Sequence, residues 1–550
     1  MKREKKGLAI GNSNFKDIIE KEDFYVDKSK FIEEFIKDSS KVKLFTRPRR
    51  FGKTLNMSML KYFFDIKNAE ENKKLFNDLY ISKTKEMEYQ GQHPVIFISM
   101  RSTEAENWDK SFFNIRRLIF DLYREFAYLR EQLEDYDLEE YNQILKKEEN
   151  IDWENSIKNL SRYLYEYYGK KVVILIDEYD TPITSAWSNG YYEKSRNFFK
   201  NLYANALKDN EYLEKAAVTG ILRVAKEGIF SGLNNLKVYT VLNDHFGDSF
   251  GLTEKEVKKA LEYYELIDNF EEVRKWYDGY KFGDIQIYNP WSILNYLDEK
   301  EINIYWVNTS DNKLIYSAIE NADKDMFDDL REVFNNGVTE QLVNASSNMD
   351  NLRDSQEVWQ LLLFGGYLTV ENKIGMNIFN LKLPNYEVRT FFEKTFIQKL
   401  GGSSRFRNMI KAFKKGDTEG FEEILNEALL VSMSYYDGNK IEEKSYHNLI
   451  LGMMLSLDNE YRIISNGEVG YGRNDLVLEP IDKKNRGYIF EFKVSETEEK
   501  FEEDLEKALK QIEEKKYPIM LKERGVKEVV HIGMAFCGKK VKVKSKIGGV

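Results

Sequence analysis

The chain of 550 residues has one cysteine, Cys537. No disulfide can form within it and no cysteine-based zinc site can be assembled, which points to a reducing compartment. Proline is also scarce, with 7 residues, against abundant lysine, glutamate and asparagine. Base composition alone would explain that bias. No run approaches the ~18 consecutive apolar residues that a membrane-spanning helix needs. The charged start, Met1-Lys-Arg-Glu-Lys-Lys6, leads into no apolar segment, so no signal peptide is expected. A formal net charge of -10 argues against coating by nucleic acid along the whole length, while leaving room for a local basic groove. A cytoplasmic protein without membrane contact is the expectation.

What the chain does have is a globular balance, 42% hydrophobic and 32% charged. Its length calls for two or three domains. Four apolar, β-branched or aromatic runs read as buried parallel strands separated by helical patterns: Val42 to Thr46, Pro94 to Met100, Lys171 to Asp177 and Ala216 to Gly220. Val238 to Leu242 reads as a fifth. Strands alternating with helices predict a doubly wound α/β domain, placed at residues 1–250.

From about Leu252 the character changes to helices rich in aromatic residues, and Thr253 followed by Glu256 is a capping-box signature. Helix, hairpin and helix follow at Glu357 to Leu362, Tyr367 to Glu371, Ile378 to Leu383 and Glu387 to Leu400. That order fits a winged-helix module, and fits equally a helical lid with an incidental hairpin, over residues 251–400. The remainder, 401–550, reads as a further α/β unit. Helical repeats run from Phe406 to Met433 and Glu442 to Leu457. Strands follow at Tyr461 to Ser465, Asn474 to Glu479 and Gly487 to Val494, then an amphipathic helix and a final strand at Val529 to Phe536. Polar, glycine-bearing stretches at Gly401 to Ser404 and Tyr436 to Lys440 are the expected joints.

A P-loop uses a strand, a tight loop and a helix N-terminus to present backbone N–H groups to phosphate oxygens. Here the strand Val42 to Thr46 is followed by Arg47-Pro-Arg49-Arg50-Phe51-Gly52-Lys53-Thr54. Arg47 stands where the GxxxxGK[ST] pattern has its first glycine, so Gly52-Lys53-Thr54 alone would fit a solvated loop as well. The second half of the site decides the matter. Val172 to Glu178 is an apolar strand ending in two acids, and buried carboxylates need a cation or solvent. With Thr54, Asp177 would hold Mg2+, and Glu178 would polarise the attacking water. ATP binding and hydrolysis are therefore expected. Thr219, at the end of the next strand, is a candidate γ-phosphate sensor. Arg49, Arg50 and Arg223 are candidates for balancing transition-state charge. For each, a surface arginine or a capping threonine is the plain alternative.

The residues Tyr25-Val-Asp27-Lys28, Arg47 to Thr54, Asp177-Glu-Tyr-Asp180 and Thr219-Gly-Ile-Leu-Arg223 carry a family likeness. Ser231-Gly-Leu-Asn-Asn235, Tyr277-Asp-Gly-Tyr280 and Tyr288-Asn-Pro-Trp291 extend it. The chain resembles the AAA-ATPase-like family of bacterial proteins, which begin with a divergent P-loop domain and end in a PD-(D/E)XK nuclease-like domain. The resemblance implies an additional-strand AAA-type parallel sheet and makes the arginine at position 47 a family trait. AAA-type sites often borrow an arginine from a neighbouring subunit, which would make the chain a homo-oligomer.

In the C-terminal part, residues two apart on a strand share a face, so Glu491 and Lys493 point together while Phe490 and Phe492 face away. A hairpin pairing Asp475 near Glu491 would bring two carboxylates and an ammonium together. Such a set suits phosphodiester hydrolysis: the acids hold Mg2+ and Lys493 orients the nucleophile. Without the likeness, a Glu-x-Lys pair is commonly a solvated edge or an ion pair. With it, the order matches the D…ExK core of a restriction-endonuclease-like fold, and the resemblance implies support from Gln511 on the trailing helix. The resemblance implies an upstream acid from a preceding helix; Glu443 and His447, on one helical face, are the candidates, with a core histidine the plain alternative for His447. The basic tail Lys539 to Lys546 could meet phosphate backbone or form a solvated charge run. Two functions from different classes follow. One is a nuclease acting on nucleic acid, DNA first, under control of ATP. The other is a signal-transducing ATPase switch whose C-terminal domain binds a partner or nucleic acid without cutting. A self-contained ATPase motor is weaker, because helicase-type motifs are missing.

Overall fold

Strands apolar on both faces have to be covered on both faces, which parallel strands with crossover helices achieve. In the computed structural model the described residues are 5–148, 151–208, 210–222, 235–306, 333, 337–344, 355–390, 392, 403–432, 446, 450, 453–454, 457, 460–465, 468–469, 472–473, 475–514 and 517–548. Contacts divide the chain into two units: Met1–Asp323 with Val338–Val388, and Lys324–Gly337 with Arg389–Val550.

The first unit is built on a parallel sheet of β1 (Val42–Thr46), β2 (Val95–Ser99), β3 (Val172–Asp177), β4 (Leu213–Gly220) and β5 (Leu236–Tyr239). Their order is β2-β3-β4-β1-β5, and every pairing is parallel. β4 is therefore an additional strand between the P-loop strand β1 and the acid-bearing strand β3. Both of those strands are buried throughout. The fifth strand lies at Leu236–Tyr239 rather than running to Leu242, because the Asn243 side chain accepts from Thr240 N–H at 2.8 Å and turns the chain there. β1 leads through the loop 47–52 into α1 (Lys53–Phe64).

Residues 251–306 and 355–388 group with this same unit. The capping box at Thr253 is present with both of its bonds. Leu252–Thr253, Tyr280–Phe282 and Ile285–Tyr288 form a small antiparallel sheet. The helix Ser355–Gly365 precedes the hairpin Thr369–Lys373 and Ile378–Lys382. Thr339–Leu342, which the sequence pattern did not single out, adds a third strand to that hairpin. Of the helix expected over Glu387 to Leu400, residues 387–390 and 392 are described.

In the second unit the helical run expected from Phe406 to Met433 is two helices, Ser403–Lys415 and Thr418–Ser432. They part at Gly416, whose φ of +72° is left-handed. The sheet comprises β6 (Tyr461–Ser465), β7 (Leu476–Pro480), β8 (Gly487–Val494), β9 (Val529–Cys537) and β10 (Lys540–Ile547), in that order. Only β8 and β9 pair in parallel, and α2 (Phe501–Glu514) lies on the crossover between them. The basic tail is thus strand β10, antiparallel to β9 with Val541 and Val543 turned into the core. Its K-V-K-V-K alternation is itself a strand pattern.

Candidate active sites

Gly52 is the N-cap of α1 with φ +82°, and an added Cβ there would meet nothing within 4 Å. The backbone conformation, not crowding, is what calls for glycine. The first turn of α1 has no side-chain cap, so its N–H groups suit an anion. Lys53 is 7% exposed, and its Nζ donates to the carbonyls of Arg47 and Pro48, each at 2.9 Å. Burial pushes its ammonium down to about 8, against the pull of Asp180, Glu178 and Asp177.

The rest of the loop is anchored outward. Arg47 is fully buried, and its guanidinium donates to the carbonyls of Thr46 (2.9 Å), Tyr239 (2.9 Å) and Phe246 (3.2 Å). It also lies over the rings of Phe250 and Phe282 at 5.1 and 4.9 Å. The Arg49 carbonyl accepts from the Trp306 indole at 3.0 Å. Arg50, with φ +65°, lays its guanidinium over Trp291 at 4.3 Å. Phe51 is fully buried against Tyr280 and Phe282, with centroids at 5.0 and 5.3 Å. Its side chain therefore packs into the small antiparallel sheet, and only its backbone is left to meet a phosphate.

Across the loop, both oxygens of Asp177 are engaged: Thr54 Oγ1 donates to Oδ2 at 2.8 Å and Thr219 Oγ1 donates to Oδ1. The pairing of β3 with β4, and of β4 with β1, brings these three together. A hydroxyl and a carboxylate are hard oxygen donors, and Mg2+ takes one or two carboxylates beside phosphate oxygens, so this set fits that ion. Glu178 follows with φ +54°, a left-handed conformation that costs a non-glycine residue about 1–2 kcal/mol. Burial raises its carboxyl pKa, and Asp177 adds to the rise. Asp180 is 3% exposed and accepts from the N–H groups of Ile221 (2.8 Å) and Leu222 (2.9 Å), tying this corner to the exit of β4. Arg223 lies outside the described residues.

In the second unit the β7–β8 register pairs Leu476 with Phe490, and Phe492 N–H donates to Asp475 Oδ2 at 2.7 Å. Asp475 therefore sits beside Glu491 and Phe492. Glu491, 2% exposed, accepts from Lys493 Nζ at 3.2 Å and from Gln511 Nε2 on α2. Phe490 and Phe492 enter the opposite core. The carboxylates suit Mg2+ as hard donors. Among the described residues no group of three or more His, Cys, Asp or Glu side chains converges. Glu443 and His447 lie outside the described residues.

The sequence pattern missed Arg101 and Trp306. Arg101 lies two residues past Ser99, which is in register with Asp177, and its charge acts on both Glu178 and Arg50. Counting beyond the end of β2 would have found it. The motif Tyr25 to Lys28 proves to be framework: Lys28 Nζ bonds Glu256 at 2.7 Å and the Asp248 carbonyl at 2.9 Å. The basic stripe of β10 is matched by acids, with Lys540 on Glu498, Lys542 on Glu422, Lys544 on Glu502 and Glu506, and Lys546 on Glu513.

Residues 9–230 match the family described as "Predicted AAA-ATPase", and residues 441–546 match the PD-(D/E)XK nuclease superfamily. A curated relative, an uncharacterized protein in the vnfD 5' region of Azotobacter chroococcum mcd 1, is 25% identical over 548 residues, 96% of each chain. The chain thus joins a domain of the AAA-ATPase-like family to a domain of the PD-(D/E)XK nuclease superfamily.

Proposed function

We propose that this protein binds and hydrolyses ATP and that its nucleotide state controls a Mg2+-dependent nuclease site acting on nucleic acid, DNA first. The observation that carries the reading is the meeting of Thr54, Thr219 and Asp177 beside the buried Lys53 and the half-buried Glu178. On this reading residues 1–250 hold the nucleotide, 251–400 act as a lid and 401–550 carry the nuclease. Lys53 exchanges the carbonyls of Arg47 and Pro48 for β/γ-phosphate oxygens, and the N–H groups at the start of α1 take the remaining phosphate charge. Mg2+, held by Thr54 and Asp177, would neutralise charge developing on the phosphates. Glu178 accepts the proton of the attacking water. Burial, with Asp177 beside it, raises its pKa and so makes it a stronger base than an ordinary carboxylate. Thr219 reads the γ-phosphate through Asp177, and Arg49, Arg50 and Arg101 offset the anion.

In the second site Asp475 and Glu491 would hold Mg2+, which makes hydroxide accessible near neutral pH. Lys493 orients the nucleophile, and Gln511 holds the Glu491 carboxylate in place. The single cysteine supports a reducing, cytoplasmic setting, and no helix among the described residues is long and apolar enough to cross a membrane. Assembly into a homo-oligomer would supply further arginines to the nucleotide.

A cleavage assay on single- and double-stranded DNA and RNA with Mg2+, with and without ATP, tests the reading. Lys493→Ala and Asp475→Ala are expected to abolish cleavage in a folded protein, Lys53→Ala to remove its ATP dependence, and Glu178→Gln to bind ATP without turnover. Cleavage that survives both Lys493→Ala and Asp475→Ala would sink the nuclease assignment. ATP-dependent binding with no cleavage under any divalent metal would favour the non-cutting switch.

A further inference from the structure

Three consecutive P-loop carbonyls are held by side chains, and they are held differently. Lys53 Nζ holds those of Arg47 and Pro48. That group is the one that turns to a phosphate, so these two bonds are exchanged when nucleotide arrives. The third carbonyl, of Arg49, is held by the indole of Trp306, which is 1% exposed and carries no charge to redirect.

Trp306 is fixed in turn by a buried carboxylate. Its backbone N–H donates to Glu387 Oε1, and Ser292 Oγ donates to Glu387 Oε2 at 2.8 Å. Glu387 is 1% exposed and Ser292 fully buried. A carboxylate taken out of water keeps its place only while such donors remain, so the position is strongly determined. Ser292 lies in the first turn of the helix Pro290–Glu299, next to the Trp291 on which Arg50 rests. One carboxylate therefore sets both surfaces that grip the loop, the indole on Arg49 and the ring under Arg50. Gly366 closes the same side, since an added Cβ would come within 2.8 Å of Pro48 Cβ. Glu387 itself belongs to the helical residues 386–390, and the first unit ends at Val388.

We propose that Glu387 is a positioning residue for the nucleotide site. It holds Trp306 and the Pro290–Glu299 helix against Arg49 and Arg50, and so makes the end of the first unit respond to nucleotide. The inference rests on reading Arg47 to Thr54 as the ATP site. A P-loop held in advance needs less ordering when ligand binds, and by linkage ATP stabilises whatever stabilises the ATP-bound loop.

The test uses the full-length chain and Mg2+-ATP. Titration calorimetry gives affinity, steady-state turnover separates KM from kcat, and hydrogen exchange is followed at residues 386–390. Glu387→Ala and Trp306→Phe are each expected to weaken ATP binding about tenfold, the equivalent of losing roughly 1.4 kcal/mol of hydrogen bonding. The change should fall in KM, with kcat near that of the unaltered chain, and Glu387→Gln should recover most of it. ATP should slow exchange at 386–390 in the unaltered chain and lose that effect in Trp306→Phe. A purely structural role would lower the Tm while leaving affinity and the exchange response intact, and that result overturns the proposal. If Glu387→Ala does not fold, Trp306→Phe and Ser292→Ala decide on the same readouts. An unaltered chain that binds no ATP removes the P-loop reading and the inference together, whereas variants that bind like it remove the inference alone.

Discussion

At position 47 a guanidinium stands where phosphate-binding loops of the GxxxxGK[ST] pattern begin with glycine. The side chain turns away from the loop and joins the carbonyls at the ends of β1 and β5 to that of Phe246. Restoring the glycine by Arg47→Gly should therefore harm the protein. It would leave three carbonyls short of a charged donor and open a cavity, a loss on the order of 4 kcal/mol or more, readable in a denaturant titration. Unchanged stability would show that Arg47 is a passive filler. Lys53 carries a second prediction. Its pKa is depressed to about 8 before ligand arrives, and bound phosphates favour the ammonium. Binding then takes up a proton above pH about 8, so ATP affinity should be flat well below that value and fall as pH rises through it. Calorimetry from about pH 7 to about pH 9.5 in buffers of different ionisation heat checks both the affinity and the proton count. Lysine and Asp177 were legible as types at spacings; the inward turn of Phe51 was not, because its partners Tyr280 and Phe282 lie in another sheet.

Among the elements, apolar runs identified β1 to β4 correctly and their ends within a few residues, since burial on both faces leaves little choice of residue. β10 escaped because its lysines read as a charge run while its valines carried the period of two. The structure pairs each of its four lysines, 540 to 546, with glutamates of neighbouring helices, so the stripe presents little net positive field. Lys542→Ala with Lys544→Ala should leave the salt dependence of DNA binding unchanged. Two lysines on phosphates would instead lower the slope of log K against log salt by roughly 1.8, and a drop of that size would assign β10 to the nucleic-acid interface. β4 shows what pairing adds: only its place between β1 and β3 lets Thr219 reach Asp177.

For the whole molecule, two separately packed units joined in one chain predict two separable responses. ATP at about 100 times its Kd should stabilise the unit that binds it by about 2.7 kcal/mol. Scanning calorimetry should show one transition moving up and the other staying. Lys53→Ala should abolish the shift and Lys493→Ala should leave it. A single transition that moves as one would mean that the units unfold together. The sequence by itself determined the two domain families, because strand periodicity, a Gly-Lys-Thr turn and a strand ending in two acids are short-range patterns, and the family likeness gave the Glu-x-Lys strand its reading. Only the tertiary structure decided what holds the P-loop. Arg47 meets carbonyls 192 and 199 residues away, and the Arg49 carbonyl meets an indole 257 residues away. Contacts over such separations depend on how buried faces pack, and no local pattern encodes that. The loop from Arg47 to Thr54 is written in eight consecutive letters, but its shape is set by β5, Trp291, Trp306 and Glu387.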